Sequence, residues 1–164
     1  MRKNIIGVMG PGKDATEMDI KNAFILGELI ARSGWILLSG GRNSGVMDSV
    51  NKGAKEKGGL TIGILPSDEK ELISDGVDIP IITNMRSGRN YINVLSSDVI
   101  IACGMNPGTA SEVALALNSE KQVILLGNYK ESIDFFKKLG GKMVHVSKSP
   151  EEAVEITKKI LTIS

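Results

Sequence analysis

The sequence predicts an α/β fold built on a central, mostly parallel sheet of about seven strands. Short β-rich runs alternate with longer segments of helical periodicity from one end of the chain to the other. Several of these runs are apolar throughout, as strands covered by helices on both faces are. Glycine-rich turns follow the first, second and fifth runs, at the strand ends where an open parallel sheet binds its ligands. At 164 residues the chain is expected to form one domain with a full hydrophobic core.

The runs are NIIGVM (4–9), WILLS (35–39), LTIGIL (60–65), IPIIT (79–83), DVIIA (98–102), QVILL (122–126) and MVHV (143–146). Between the first two, Ile20, Ala23, Phe24, Gly27 and Ile30 mark the inner face of a helix that stops at Gly34. Val46, Val50 and Ala54 mark a second helix, which stops near Gly58. The stretch 67–78, SDEKELISDGVD, is the most polar and reads as a flexible excursion. SGRNYINVLSSD places Arg89 on a helix just before the fifth strand. The last helix opens with Ser149 as N-cap, Pro150 in its first turn and Glu152 completing a capping box. Thr16-x-x-Asp19 and Thr109-x-x-Glu112 read as related helix starts.

Composition bounds the function. Twenty Lys and Arg against nineteen Asp and Glu give a net charge of +1, scattered along the chain, which argues against nucleic acid or a membrane surface and for a small ligand. The apolar run near the N-terminus is broken by Gly and Pro too soon for a signal sequence or a membrane span, so a cytosolic protein is expected. Cys103, the only cysteine, reads as a small buried hydrophobe, and His145 has no partner at metal-ligand spacing. No metal site is read.

The three glycine turns are GPGKDA (10–15), SGGRNSG (39–45) and GMNPGT (104–109). Glycine permits positive φ and close backbone approach, and the helix that follows offers unpaired N–H groups to an anion. A phosphate-bearing ligand is expected on Gly10, Gly12, Gly40, Gly41, Arg42, Asn43, Ser44, Gly45, Gly104, Gly108 and Thr109. The first loop imitates the dinucleotide fingerprint, but the second strand ends in Ser39-Gly40-Gly41 where an acid should hold the ribose. It also imitates a nucleotide-triphosphate loop, with Asp14 where a Ser or Thr should bind magnesium. Glu112 is open to two roles: capping its helix, or acting as a carboxylate at a sugar centre as in glycoside cleavage. The planar guanidinium of Arg89 suits a phosphate.

Two long stretches carry a family resemblance. GGRNSGVMDSVNKGAKEKGGLTIGILP is similar to GGGxxGLMG followed by GAxxxGGxxIGVIP, and RNYINVLSSDVIIACGMNPGTASE is similar to RKxxMxxxSDAFIALPGGxGTxxE. Both patterns belong to the Lonely Guy (LOG) type superfamily, long labelled "possible lysine decarboxylase", and the chain resembles its branch of molybdenum-cofactor carrier proteins. The resemblance implies a Rossmann-like three-layer sandwich, a homodimer, and a nucleoside monophosphate or nucleotide-like, molybdopterin-type ligand. It places Arg89 and Glu112 on the functional arginine and glutamate, Asn90 beside them, and Gly108 and Thr109 on the phosphate-binding Gly-Thr. The enzyme branch is a phosphoribohydrolase, needing no cofactor, that releases base and ribose 5-phosphate; in the carrier reading molybdenum cofactor is cargo. No pyridoxal-phosphate lysine is implied. The chain departs from the pattern at Arg42, at Asn90 and in Gly104-Met105-Asn106-Pro107, where side chains replace glycines and a proline removes an N–H.

Overall fold

A computed structural model describes residues 2–163. The strands are β1 (Ile5–Met9), β2 (Ile36–Ser39), β3 (Thr61–Leu65), β4 (Ile79–Ile82), β5 (Val99–Cys103), β6 (Val123–Leu126) and β7 (Val144–Ser147). They form one seven-stranded sheet in the order β4-β3-β2-β1-β5-β6-β7, and every pairing is parallel. The helices are α1 (Glu17–Arg32), α2 (Gly45–Glu56), α3 (Arg89–Ser96), α4 (Pro107–Asn118), α5 (Lys130–Gly140) and α6 (Pro150–Ile163). This is the α/β, Rossmann-like three-layer architecture.

Alternation within the strands sorts the core into two layers. Ile6, Val8, Leu37, Val99 and Ile101 pack with Ala23, Leu26 and Ile30 of α1, Val46 and Val50 of α2, and Ala153 of α6. Met9, Leu38, Ile64, Ile100 and Ala102 point the other way, onto Val94 of α3, Val113 of α4 and Phe136 of α5. Burial on both faces is why these strands read as apolar runs. The edge strand β4 is the exception: all four of its residues are exposed, so the expectation of helices over both faces fails there. Pro80 suits an edge position because it cannot donate to a further strand.

The helix ends follow the sequence closely. Thr16 and Asp19 form a full capping box at α1, while Gly34 and Gly58 close α1 and α2 with positive φ. Ile20 is 41% exposed and does not belong to the inner face of α1; Leu26 takes that role. At α6 the Glu152 N–H donates to Ser149 Oγ, but the Glu152 carboxylate accepts from the Lys148 N–H, one residue earlier than the Ser149 N–H of a closed box. The stretch 67–78 is polar but anchored. Its Leu72 and Glu71 carbonyls accept from the Asn43 N–H and side chain, and buried Ser74 joins Asp48 and the Gly41 carbonyl. The stretch is held by partners distant in sequence, because its polar atoms are spent on the β2–α2 loop, on α2 and on β3.

Candidate functional site

The strand order reverses between β1 and β5, and a cleft of about 630 Å³ opens there at the carboxyl ends of the strands. Gly10 and Gly12 after β1, Gly40 and Arg42 after β2, Arg89 and Asn90 of α3, and Gly108, Thr109 and Glu112 of α4 all line it. Nine of the expected site residues therefore meet in one cavity.

The remaining five support it from behind. Gly41 has φ +73° and lies against Gly63 of β3, where a Cβ would stand 2.9 Å from the Gly63 Cα. Asn43 holds the 67–78 stretch, and Ser44 is the N-cap of α2. Gly45 lets the start of α2 touch the first loop, since a Cβ there would come 2.1 Å from the Gly12 carbonyl oxygen. Gly104 turns the chain out of β5 with φ +82°, against Asp19. None of the five lines the cleft.

Arg89 sits where α3 begins. Its Nη1 donates to the Gly40 carbonyl at 2.5 Å and also to the Ile64 carbonyl, which pins the side chain across the ends of β2 and β3. Both hydrogens of Nη1 are thereby used, leaving Nε and Nη2 as donors. Burial draws the guanidinium below its usual pKa; the Glu112 carboxylate opposes that shift and Arg42 adds to it. A Cβ at Gly40 would fall 2.6 Å from Nη1 and 2.6 Å from the Met47 sulfur, so one or both of these side chains would have to shift.

Glu112 is 8% exposed and lies in the second turn of α4. The Asn93 side-chain amide donates to its Oε1 at 2.8 Å. Burial pushes its pKa up to about 7, against the lowering effects of the Asn93 hydrogen bond and of Arg89. Among the described residues no ion pair joins it to Arg89.

The capping box expected from Thr109 and Glu112 does not form. Pro107 opens α4, and Asn106, in extended conformation, is the N-cap. Its Oδ1 accepts from the Thr109 N–H at 2.9 Å and from the Thr109 hydroxyl at 3.0 Å. The helix therefore starts before Thr109, and Glu112 turns toward α3 instead of back to its own cap. Asn106→Ala is expected to cost about 1 kcal/mol of stability through loss of the cap. Urea unfolding with an unchanged slope would show it; a shift below a few tenths of a kcal/mol would exclude Asn106 as an effective cap.

Several lining residues carried no signal in the sequence. Arg86, Met9 and Met47 face the cleft, as do Asp68 and Glu69 of the anchored stretch. Arg86 and Asn84 hold positive φ (48° and 51°), unusual for residues with side chains and common at functional turns. The doubled arginine of RSGRN was the only available hint to Arg86. Cys103 is fully buried, which raises its thiol pKa well above the ordinary range, and it plays no part in the cleft.

A model of the SLOG cluster4 family matches residues 3–154. The chain belongs to that family. Among solved structures, this SLOG cluster4 protein is similar to the molybdenum cofactor binding protein from the phototrophic bacterium Rippkaea orientalis. The two are 56% identical, with 98% of this chain and 99% of that one covered and a TM-score of 0.96. It is also similar to the Moco carrier protein from Chlamydomonas reinhardtii, at 52% identity, with 99% and 100% covered and a TM-score of 0.95. An uncharacterized protein of Archaeoglobus fulgidus is 47% identical over 121 residues, 74% of this chain and 78% of that protein. Among the described residues of the SLOG cluster4 chain, no helix is long and apolar enough to cross a membrane.

Proposed function

We propose that the protein binds and carries a phosphate-bearing, nucleotide-like cofactor of the molybdenum-cofactor type in the cleft between β1 and β5. The observation that supports it most is Arg89: a buried guanidinium fixed by two main-chain carbonyls at the reversal of strand order, with donors left over. A cation immobilised before the ligand arrives loses little entropy on binding, and its planar fork suits a phosphate oxygen pair. Arg42 and Arg86 add charge along the same cleft. Similarity to cofactor-binding and carrier proteins along nearly the whole chain points the same way.

In this reading Arg89 holds the phosphate, and the Gly10 to Gly12 and Gly40 to Arg42 segments bring main chain close to it. Gly108 supplies the open N–H of the first turn of α4, because Asn106 occupies both donors of Thr109. A cytosolic homodimer belongs to the same proposal and is checked by light scattering. The second reading, phosphoribohydrolase, is favoured by one feature. A carboxyl held near pH 7 in a cleft is poised for acid–base work.

One experiment separates the two. The purified protein is mixed with molybdenum cofactor, AMP or N6-substituted AMP, bound ligand is separated by gel filtration, and free base and ribose 5-phosphate are measured. Retention of the cofactor without base release is expected. Base release that disappears in Glu112→Gln would establish the hydrolase instead, and retention of none of the ligands would reject the binding cleft.

A further inference from the structure

Glu112 is the buried carboxylate of a cleft otherwise suited to anions, and its surroundings leave it poorly served as a charge. Its one hydrogen bond comes from a neutral amide, Asn93 Nδ2. Arg89 gives Nη1 to the Gly40 and Ile64 carbonyls and, among the described residues, forms no ion pair with Glu112. Asn93 is itself wholly buried, and its Oδ1 has no hydrogen-bond partner among the described residues. The Asn93–Glu112 pair is thus incomplete on the protein side, with Glu112 lining the cavity. A buried carboxylate with a single neutral donor carries a large desolvation cost, and beside an incoming oxyanion it would add repulsion.

The charged groups around it are few. Arg89, on α3, is the charged group that acts on it; Arg42, Arg86, Asp68 and Glu69 line the same cleft, and the two acids are exposed. The strands and α5 on the inner side of α4 present apolar residues, Ala102, Leu125 and Phe136 among them. No buried cation is available to hold Glu112 ionised once a ligand anion has claimed Arg89.

We infer that Glu112 receives the ligand as a neutral carboxylic acid, donating a hydrogen bond from Oε2 to an oxyanion oxygen, so that loading takes up one proton from solution and unloading returns it. This inference rests on the anion-binding reading of the cleft. The proton comes from the buffer and goes to Oε2 while Oε1 keeps its bond from Asn93, and no covalent bond to the ligand forms or breaks. The carboxyl's raised pKa, about 7, agrees with this geometry: the empty site is mostly protonated below neutrality and ionised above it. Raising pH then removes a donor and adds a repelling charge together. A carrier built this way holds its cargo more tightly in the more acidic of two environments.

The test uses inorganic phosphate, AMP and molybdenum cofactor as probes. Affinity for each is measured from pH 6 to 8.5, and the protons taken up with phosphate and AMP are counted by calorimetry at pH 8 in buffers of different ionisation enthalpy. For the wild type, affinity is expected to fall about tenfold per pH unit above 7, with close to one proton taken up at pH 8. Glu112→Gln, which keeps a donor and cannot titrate, is expected to bind with a flat profile and no uptake. Proton uptake that persists in the variant would place the proton on the phosphate and overturn the inference, as would wild-type binding without uptake; either result leaves the cleft reading intact. Failure of all three probes to bind at any pH would overturn both. Because the variant could misfold, carboxyl 13C NMR of the wild type gives an independent readout. One glutamate is expected to titrate near neutrality and to stay protonated at pH 8 when phosphate is bound.

Discussion

Gly27→Ala and Gly53→Ala are each expected to destabilise the protein by about 3 kcal/mol, although alanine normally strengthens a helix. The two glycines are where α1 and α2 touch backbone to backbone. A Cβ on Gly27 would lie 2.1 Å from the Val50 carbonyl oxygen and 2.8 Å from the Ala54 nitrogen, and one on Gly53 would lie 2.1 Å from the Phe24 carbonyl oxygen. These are main-chain atoms inside a hydrogen-bonded helix and cannot rotate away. The helices must separate, and with them the layer of Ala23, Leu26, Val50 and Ala54 that covers β1 and β2. Helix propensity returns up to about 1 kcal/mol per substitution, well short of the cost of reopening a packed layer. The double variant should lose less than the sum of the singles, since the helices need to part only once. Urea unfolding of the set measures this. Single variants as stable as the wild type would show that α1 and α2 can separate freely.

The second large effect is on binding. Gly40→Ala places a methyl 2.6 Å from both Arg89 Nη1 and the Met47 sulfur, and so should push the guanidinium out of its seat on the Gly40 and Ile64 carbonyls. Met47 is an unbranched side chain able to shift; the guanidinium can move only by giving up its bonds to the two carbonyls. Affinity for the cofactor is expected to fall by about 10- to 100-fold in Gly40→Ala and by at least as much in Arg89→Ala, the loss of one charged hydrogen-bonded contact or more. Combining the two should add little, because both act through one side chain. Equilibrium binding at fixed pH and salt measures the cycle. Full additivity would show that Gly40 and Arg89 act separately and would reject this account of the loop.

Much of this was legible in the sequence because the physical cause was local. β1, β2, β5 and β6 are covered on both faces, so their residues had to be apolar almost without exception. Thr16 with Asp19, Gly34 and Gly58 marked helix ends because capping depends on a few neighbouring residues. Gly10, Gly40 and Gly108 could be expected to meet on one cleft because glycine turns at the carboxyl ends of parallel strands share one rim.

Other features depend on what lies across the fold. Thr109-x-x-Glu112 fits a capping box, yet Pro107 and Asn106 begin the helix earlier and Glu112 turns to Asn93, 19 residues away. Arg89 read as a cation suited to phosphate, but the seat that fixes it could not be read, because it is made by carbonyls 49 and 25 residues away. Of two glycines adjacent in sequence, Gly40 lines the cleft and Gly41 packs on β3, a division that no local pattern encodes. The stretch 67–78 read as flexible because its polar groups have no partners nearby in sequence; the β2–α2 loop supplies them.

The sequence by itself determined the strand count, the parallel α/β class, the rim on which the cleft opens and the family. Hydrophobic periodicity, glycine turns and two long motifs are properties of consecutive residues. Only the tertiary structure decided which rim residues face the cleft, that Arg89 is fixed before any ligand arrives, and that Glu112 is buried with one neutral donor. Side-chain orientation and charge state are set by neighbours distant in sequence, through burial and hydrogen bonds that exist only when the sheet has brought those neighbours together.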